Sequence, residues 1–337
     1  MTSRERLIRT LEHQPVDRAP RDLWALPGTV VDRQEEMTRL QARFPSDFQG
    51  PNARYGVGRR CRGIPNEIGA YTDAWGCTWQ VAERGVVGEV KEPPLADWGA
   101  LASYRPPFEL LDEADLSQVE ASCAATDKFV RAGTETRPFE RLQFLRGSET
   151  LFVDLAYGTK ELRQLLAMLH DFYCREMRTW AATAVDGVSF MDDWGTQTSL
   201  LIDPETWRAL FKPLYREYCE ILHAGGQQVF FHSDGYIEAI YPDLVEIGVD
   251  ALNSQLFCMD IEKLGEEYRG KVTFWGEIDR QQLLPFGTPE QVRQGVRRVR
   301  RALDRGQGGV IAECEWGIGV PYANVEAVFD EWEQPLT

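Results

Sequence analysis

No stretch of this chain approaches the roughly 20 apolar residues that a membrane span requires. The opening MTSRERLIRTLEHQP also lacks the apolar core of a signal peptide. A cytoplasmic location is therefore the expectation. Positive charge is short as well: 37 Lys and Arg stand against 53 Asp and Glu, a net charge of −16. Nucleic acids and anionic membranes attract basic surfaces, so neither is expected as a partner. The seven cysteines include no CxxC pair, which argues against a zinc ribbon or a disulfide framework. Kept reduced in that compartment, they offer chemistry only as single residues assembled by the fold. Low-complexity tracts, short repeats and Gly/Ser linkers are missing too. No Gly-rich phosphate loop follows the first clear strand, which counts against an open, doubly wound nucleotide-binding sheet.

What is present fits one globular domain over 1–337, with 43% apolar and 27% charged residues. Residues 3–13 read as a helix with Ser3 as N-cap and Leu7, Ile8 and Leu11 on one face. Residues 50–110, rich in Gly, Pro and Trp, read as long loops and short strands decorating a barrel entrance. From about residue 140, short apolar runs alternate with amphipathic stretches. The runs are GVSFMDD (187–193), QVFFHSD (228–234), DALNSQ (250–255), VTFWGEID (272–279) and GGVIAEC (308–314). The stretches 204–225 and 288–306 between them read as helices. Such alternation implies a parallel sheet, and its length favours an α/β (β/α)8 TIM barrel with an N-terminal helical and loop extension.

Each of these strands ends in polar groups: Asp192 and Asp193, His232 and Asp234, Asn253 and Gln255, Glu277 and Asp279, Cys314 and Glu315. A single pair is explained about as well by N-capping of the next helix. Five successive strand ends are not, because in a parallel barrel they all face one mouth. Of the four histidines, only His232 lies at a strand end; His13, His170 and His223 fall in helix-like segments, as do Cys174 and Cys219. An imidazole, a thiolate and carboxylates at one mouth form a plausible zinc set. Trp194, Trp275 and Trp316 lie close to these groups. They could stack on an aromatic ring, hold an ammonium group, or simply plug the barrel top.

Three segments, SRERLIRTLEHQPVDRAP (3–20), FHSDGYIEAIYPDLVEIGVDALNSQ (231–255) and WGEIDRQQLLPFGTPEQV (275–292), resemble the uroporphyrinogen decarboxylase superfamily. It includes true decarboxylases and methyltransferases that serve corrinoid proteins and coenzyme M. The decarboxylases carry an Arg-rich segment near the N-terminus; PRDLWALPGT (20–29) has one Arg, which argues against a porphyrinogen substrate. The methyltransferase branch holds zinc on a His-x-Cys strand end and a later Cys. His232 matches the His, and Cys314, 82 residues later, matches the second Cys. Asp234 stands where the first Cys is expected, and Glu277 where the family has Gly.

The resemblance thus implies a zinc-dependent methyltransferase. Zn2+ would sit on His232 and Cys314, with Glu277 or Asp234 as third ligand. Asp193 or Glu277 would donate a proton, and Asp192, Trp194, Gln197, Asn253, Gln255, Trp275 and Trp316 would line the substrate. A small methylated or methoxylated compound would give its methyl group to cobalamin on a separate corrinoid protein, since the chain itself has no DxHxxG motif. Pairing of barrels as a homodimer is part of the same expectation. Three alternatives stay open: loss of the metal, with the HSDG segment binding substrate directly; a decarboxylase of a small carboxylic acid or porphyrinogen-like substrate; and a non-catalytic barrel acting as a binding partner.

Overall fold

Apolar runs too short for a helix and separated by amphipathic stretches form strands covered by helices on one side. The computed structural model describes residues 1–335. Eight of its strands run in parallel around one ring: β1 Arg21–Ala25, β2 Phe48–Gln49, β3 Phe129–Gly133, β4 Gly187–Met191, β5 Gln228–Ser233, β6 Ala251–Ser254, β7 Thr273–Trp275 and β8 Val310–Trp316. Sequential strands are neighbours from β2 to β8, and β8 pairs with β1, so the chain is a (β/α)8 barrel. The ring is completed between β1 and β2 by Asp47. Its N–H donates to the Arg21 carbonyl at 3.0 Å, and its carboxylate accepts the Arg21 N–H at 2.7 Å. Arg6 and Arg18 each donate to the same carboxylate at 2.7 Å.

Side chains alternate between the barrel axis and the helix layer, as strand geometry dictates. Phe48, Phe129, Phe230, Ala251, Trp275 and Ile311 fill the axis, with Leu7 and Leu11 of the N-terminal helix packed beneath them. That helix spans Ser3–Leu11, two residues shorter than the 3–13 read from the sequence, and its cap is Thr2, whose hydroxyl accepts the Glu5 N–H, rather than Ser3. A half-buried guanidinium lies among the rings: Arg131 is 4.3 Å over Phe48 and 4.4 Å over Trp275, and pairs with Asp22 at 2.9 Å. The long 204–225 stretch is two helices, Pro204–Leu210 and Lys212–Ala224, separated at Phe211 where Pro213 opens the second. Within 50–110 lies a small antiparallel sheet of Gly69–Thr72, Thr78–Val81 and Glu89–Glu92. No described helix is long and apolar enough to cross a membrane.

Candidate active site

Parity decides which strand-end residues reach the mouth. On β5, Phe230 points into the axis, so His232 and Asp234 follow it; on β6 Ala251 leads to Asn253 and Gln255; on β7 Trp275 leads to Glu277. On β8 the inward residues are Ile311, Glu313 and Glu315, while Val310, Ala312, Cys314 and Trp316 belong to the helix-facing core. The expected ligand Cys314 therefore points away from His232. Burial among apolar groups, together with the charges of Glu313 and Glu277, pushes its thiol well above the usual range.

Four further expectations are corrected by the same geometry. Trp316 lies in the helix layer and donates to the Val320 carbonyl at 3.0 Å. Trp194 is stacked on Phe139, with centroids 4.2 Å apart, in an aromatic core with Phe211 and Trp207. Asp192 is fully buried and accepts the Phe139 and Glu140 N–H groups at 2.6 and 2.7 Å. It thereby caps the helix Pro138–Arg146, and Tyr215 donates to it at 2.6 Å. Trp275 does lie in the barrel, but below the mouth, with its N–H on Asp22 at 3.1 Å.

The residues that converge are His232, Asp193 and Asp234, whose donor atoms all lie within 4.8 Å of one another. The Asn253 amide donates to the Trp275 carbonyl at 2.6 Å, which turns its oxygen toward His232 Nδ1, also at 2.6 Å. Nδ1 must then carry the proton, and Nε2 faces Asp234 Oδ1 at 3.4 Å and Asp193 Oδ1 at 3.6 Å. That Asp234 oxygen is buried and has no hydrogen-bond partner. An imidazole anchored through Nδ1, with Nε2 aimed between two carboxylates, is how proteins orient a metal-ligating histidine. The residues present therefore fit a divalent cation, on one nitrogen and two oxygens rather than on thiolates.

When a proton takes that place instead, burial disfavours the charged ring, but Asp234 and Asp193 outweigh it and hold His232 at about 9. Burial raises Asp193 against the pull of His232, while Asp234 is held near 2, its own burial overridden by His232 and Arg280.

Arg280, Glu313, Glu140 and Trp24 escape the sequence reading, whereas Glu277, Gln197 and Gln255 are among the residues it singles out. Arg280 reaches back from the loop after β7 to pair with Asp234, with Glu315 at 2.6 Å and with Glu277 at 3.2 Å. Glu277 is buried, and burial with the charges of Asp234 and Glu315 outweighs Arg280 and lifts its carboxyl to about 8. Glu313 is 1% exposed, and neither carboxyl oxygen has a partner. Burial, then Glu277, Asp22 and Glu315, push it far above the carboxylate range. Glu140, beside Asp193, is raised to about 7 by burial and by that neighbour. Trp24 flanks His232 with ring centroids 5.2 Å apart. Gln197 and Gln255 line a cavity of about 170 Å³ next to Glu277 and Arg280, and Gln255 accepts the Gly235 N–H at 3.1 Å.

Fold and mouth together define a parallel barrel whose C-terminal face carries an oriented histidine among carboxylates. The chain belongs to the uroporphyrinogen decarboxylase (URO-D) family, whose model matches residues 63–334. It is 22% identical to the methylcobamide:CoM methyltransferase MtbA of Methanosarcina acetivorans, over 98% of this chain and 97% of that one. The protein of the same name from Methanosarcina mazei is 23% identical with the same coverage. Among solved structures, a methyltransferase from Methanosarcina mazei superposes with a TM-score of 0.72 at 16% identity, covering 99% of this chain and 98% of that one. Both curated relatives are named as methyltransferases and match this chain along nearly its whole length, and the structural likeness shows the shared barrel.

Proposed function

We propose that this protein is a methyltransferase that takes a methyl group from a small methylated or methoxylated compound and passes it to a corrinoid protein docked over the barrel mouth. The observation that carries this reading is His232 Nε2 facing Asp193 and Asp234, in a barrel similar along its length to methylcobamide:CoM methyltransferases. His232, Asp193 and Asp234 would hold a zinc-type cation; Cys314 takes no part. When bound, the cation supplies Lewis acidity that offsets negative charge on the leaving heteroatom. Glu277, whose carboxyl burial lifts to about 8, would donate a proton to that atom. Asn253 fixes the imidazole, Trp24 walls the site beside it, and Gln197 and Gln255 line the adjoining cavity. The cobalamin comes from the partner.

A decarboxylase acting on a polyanion is less well served, because Arg280 is already engaged by Asp234, Glu277 and Glu315 and Arg131 by Asp22, which leaves Arg137 as a single loosely held guanidinium beside Glu140. The test is to measure metal content and then methylation of cob(I)alamin by its change in absorbance, with panels of O- and N-methyl donors. Zinc-dependent methylation that disappears in His232→Ala is the expected result. CO2 release without any corrinoid, or activity indifferent to His232→Ala, would overturn the reading.

A further inference from the structure

The loop after β7 turns at Asp279, whose carboxylate accepts the Gln281 and Gln282 N–H groups at 2.9 and 3.0 Å. This turn sends Arg280 over the mouth as a lid of one side chain. Its guanidinium meets carboxylates from three strand ends: Asp234 after β5, Glu277 after β7 and Glu315 on β8. Inward of Glu315 on the same strand lies Glu313, 1% exposed and without a partner on either oxygen. Gly276 packs so closely that a Cβ there would lie 2.4 Å from one of those oxygens.

A buried carboxyl without a hydrogen bond is costly, and native structures keep few of them. Here the deficit is one of donors. Arg280 is taken up by the outer carboxylates and Arg131 by Asp22 and the rings around it, while Arg137, whose Nε has no partner, lies on the far side of the mouth, 3.8 Å from Glu140. An anionic ligand would find no free cation on this side of the mouth, whereas a cationic ligand with N–H groups would meet Glu277, which lines the adjoining cavity, and, once Arg280 withdraws, Glu315 and Glu313 behind it. Room for Arg280 to withdraw lies beside it, in the cavity lined by Gln255, Phe257, Cys258 and Gln282.

We propose that the mouth binds a small molecule through a positively charged N–H head group, a protonated amine or a guanidinium, and that Arg280 is the resident cation this head group displaces. The inference rests on the proposed function only in taking the mouth as the substrate site. Glu313 supplies the recognition, releasing its proton to solvent as the cation arrives, and until then Arg280 pairs with Asp234 and Glu315. A quaternary ammonium has the charge but no N–H, so it serves Glu313 poorly.

The test is isothermal titration of the full-length protein with methylguanidinium, trimethylammonium, tetramethylammonium and neutral tert-butanol. The two N–H cations are expected to bind at least about tenfold more tightly than the other two, the scale of a charge-assisted hydrogen bond. Glu313→Gln should lose most of that preference. Arg280→Ala, with its lid removed, should bind methylguanidinium more tightly than the wild type. If Arg280→Ala does not fold, the wild-type series and Glu313→Gln decide. Equal binding of tert-butanol and the N–H cations, or an unchanged Glu313→Gln, would overturn the proposal. Cob(I)alamin methylation with the same compounds and with methoxy donors separates the two readings. Cation binding without methyl transfer leaves this inference standing and defeats the methyltransferase reading. Methyl transfer from methoxy donors with no cation binding does the reverse.

Discussion

Asn253 accepts the Nδ1 proton of His232 across 2.6 Å and thereby commits the other ring nitrogen to Asp193 and Asp234. Asn253→Leu removes that acceptor and frees the ring to rotate. Zinc affinity, read by chelator competition, should fall about 10–100-fold, the usual effect of losing the group that orients a ligating histidine. Asn253→Asp, which keeps the acceptor, should retain most of it. Equal affinity in all three proteins would mean that the imidazole is oriented by something else.

The placement of Cys314 in the helix layer separates two metal sites that the sequence cannot distinguish. Cys314→Ala should leave zinc stoichiometry unchanged and cost only about 1 kcal/mol from the small cavity. Asp193→Asn should lower zinc content without unfolding the barrel. Elemental analysis together with urea titration reads both; zinc lost from Cys314→Ala and kept in Asp193→Asn would reverse the assignment.

Gly276 has a φ of +67°, and a Cβ there would lie 2.4 Å from Glu313 Oε2 and 2.6 Å from its Cβ. Gly276→Ala combines left-handed strain with overpacking, for a loss of about 2–4 kcal/mol in urea denaturation. A loss below about 1 kcal/mol would show that the Glu313 side chain can move aside at little cost.

Glu176 is fully buried and accepts from Tyr55 at 2.6 Å, Thr136 at 2.8 Å and the Glu135 N–H at 3.0 Å. Burial outweighs those bonds and raises its carboxyl from 4.5 to about 7. Between those values the folded chain holds a proton that the unfolded chain has released, so this contribution to stability is full below pH 4.5 and is lost as pH rises to about 7. Relative to Glu176→Gln, the wild type should lose up to about 3 kcal/mol across that window and nothing further above it. Parallel stability curves for the two proteins from pH 4 to 8 would show that the carboxyl titrates normally.

The late strands and their polar ends are legible in the sequence because each apolar run is too short for a helix and stops in Asp, His, Asn or Glu. Facing is harder to read. In VIAECEW a shift of one residue exchanges Glu313 and Glu315 for Cys314 and Trp316, and only the paired strands fix which set turns inward. The same parity sends Asp192 to cap a helix while Asp193, next to it, enters the mouth. Arg280 lies in a loop, where no periodicity reports direction. Asp22, Trp24 and Arg131 sit on upstream strands too weakly patterned to delimit, although alternation would have marked them once β1 and β3 were drawn.

The Asp47 closure between β1 and β2 makes this barrel a split ring held by a clasp. One carboxylate ties the N-terminal helix, the segment entering β1 and the approach to β2, and Arg21 on the same strand pairs with Glu333 near the other end of the chain. Elsewhere the ring is laced by ladders, which part only if several backbone bonds yield together. At this seam one backbone bond and one carboxylate bond, both made by Asp47 to Arg21, take the place of a ladder, so the first opening of the barrel is expected there. The mouth residues that carry the proposed chemistry on β4 to β8 stand on the continuous arc away from the split, where breathing at the clasp leaves their spacing intact.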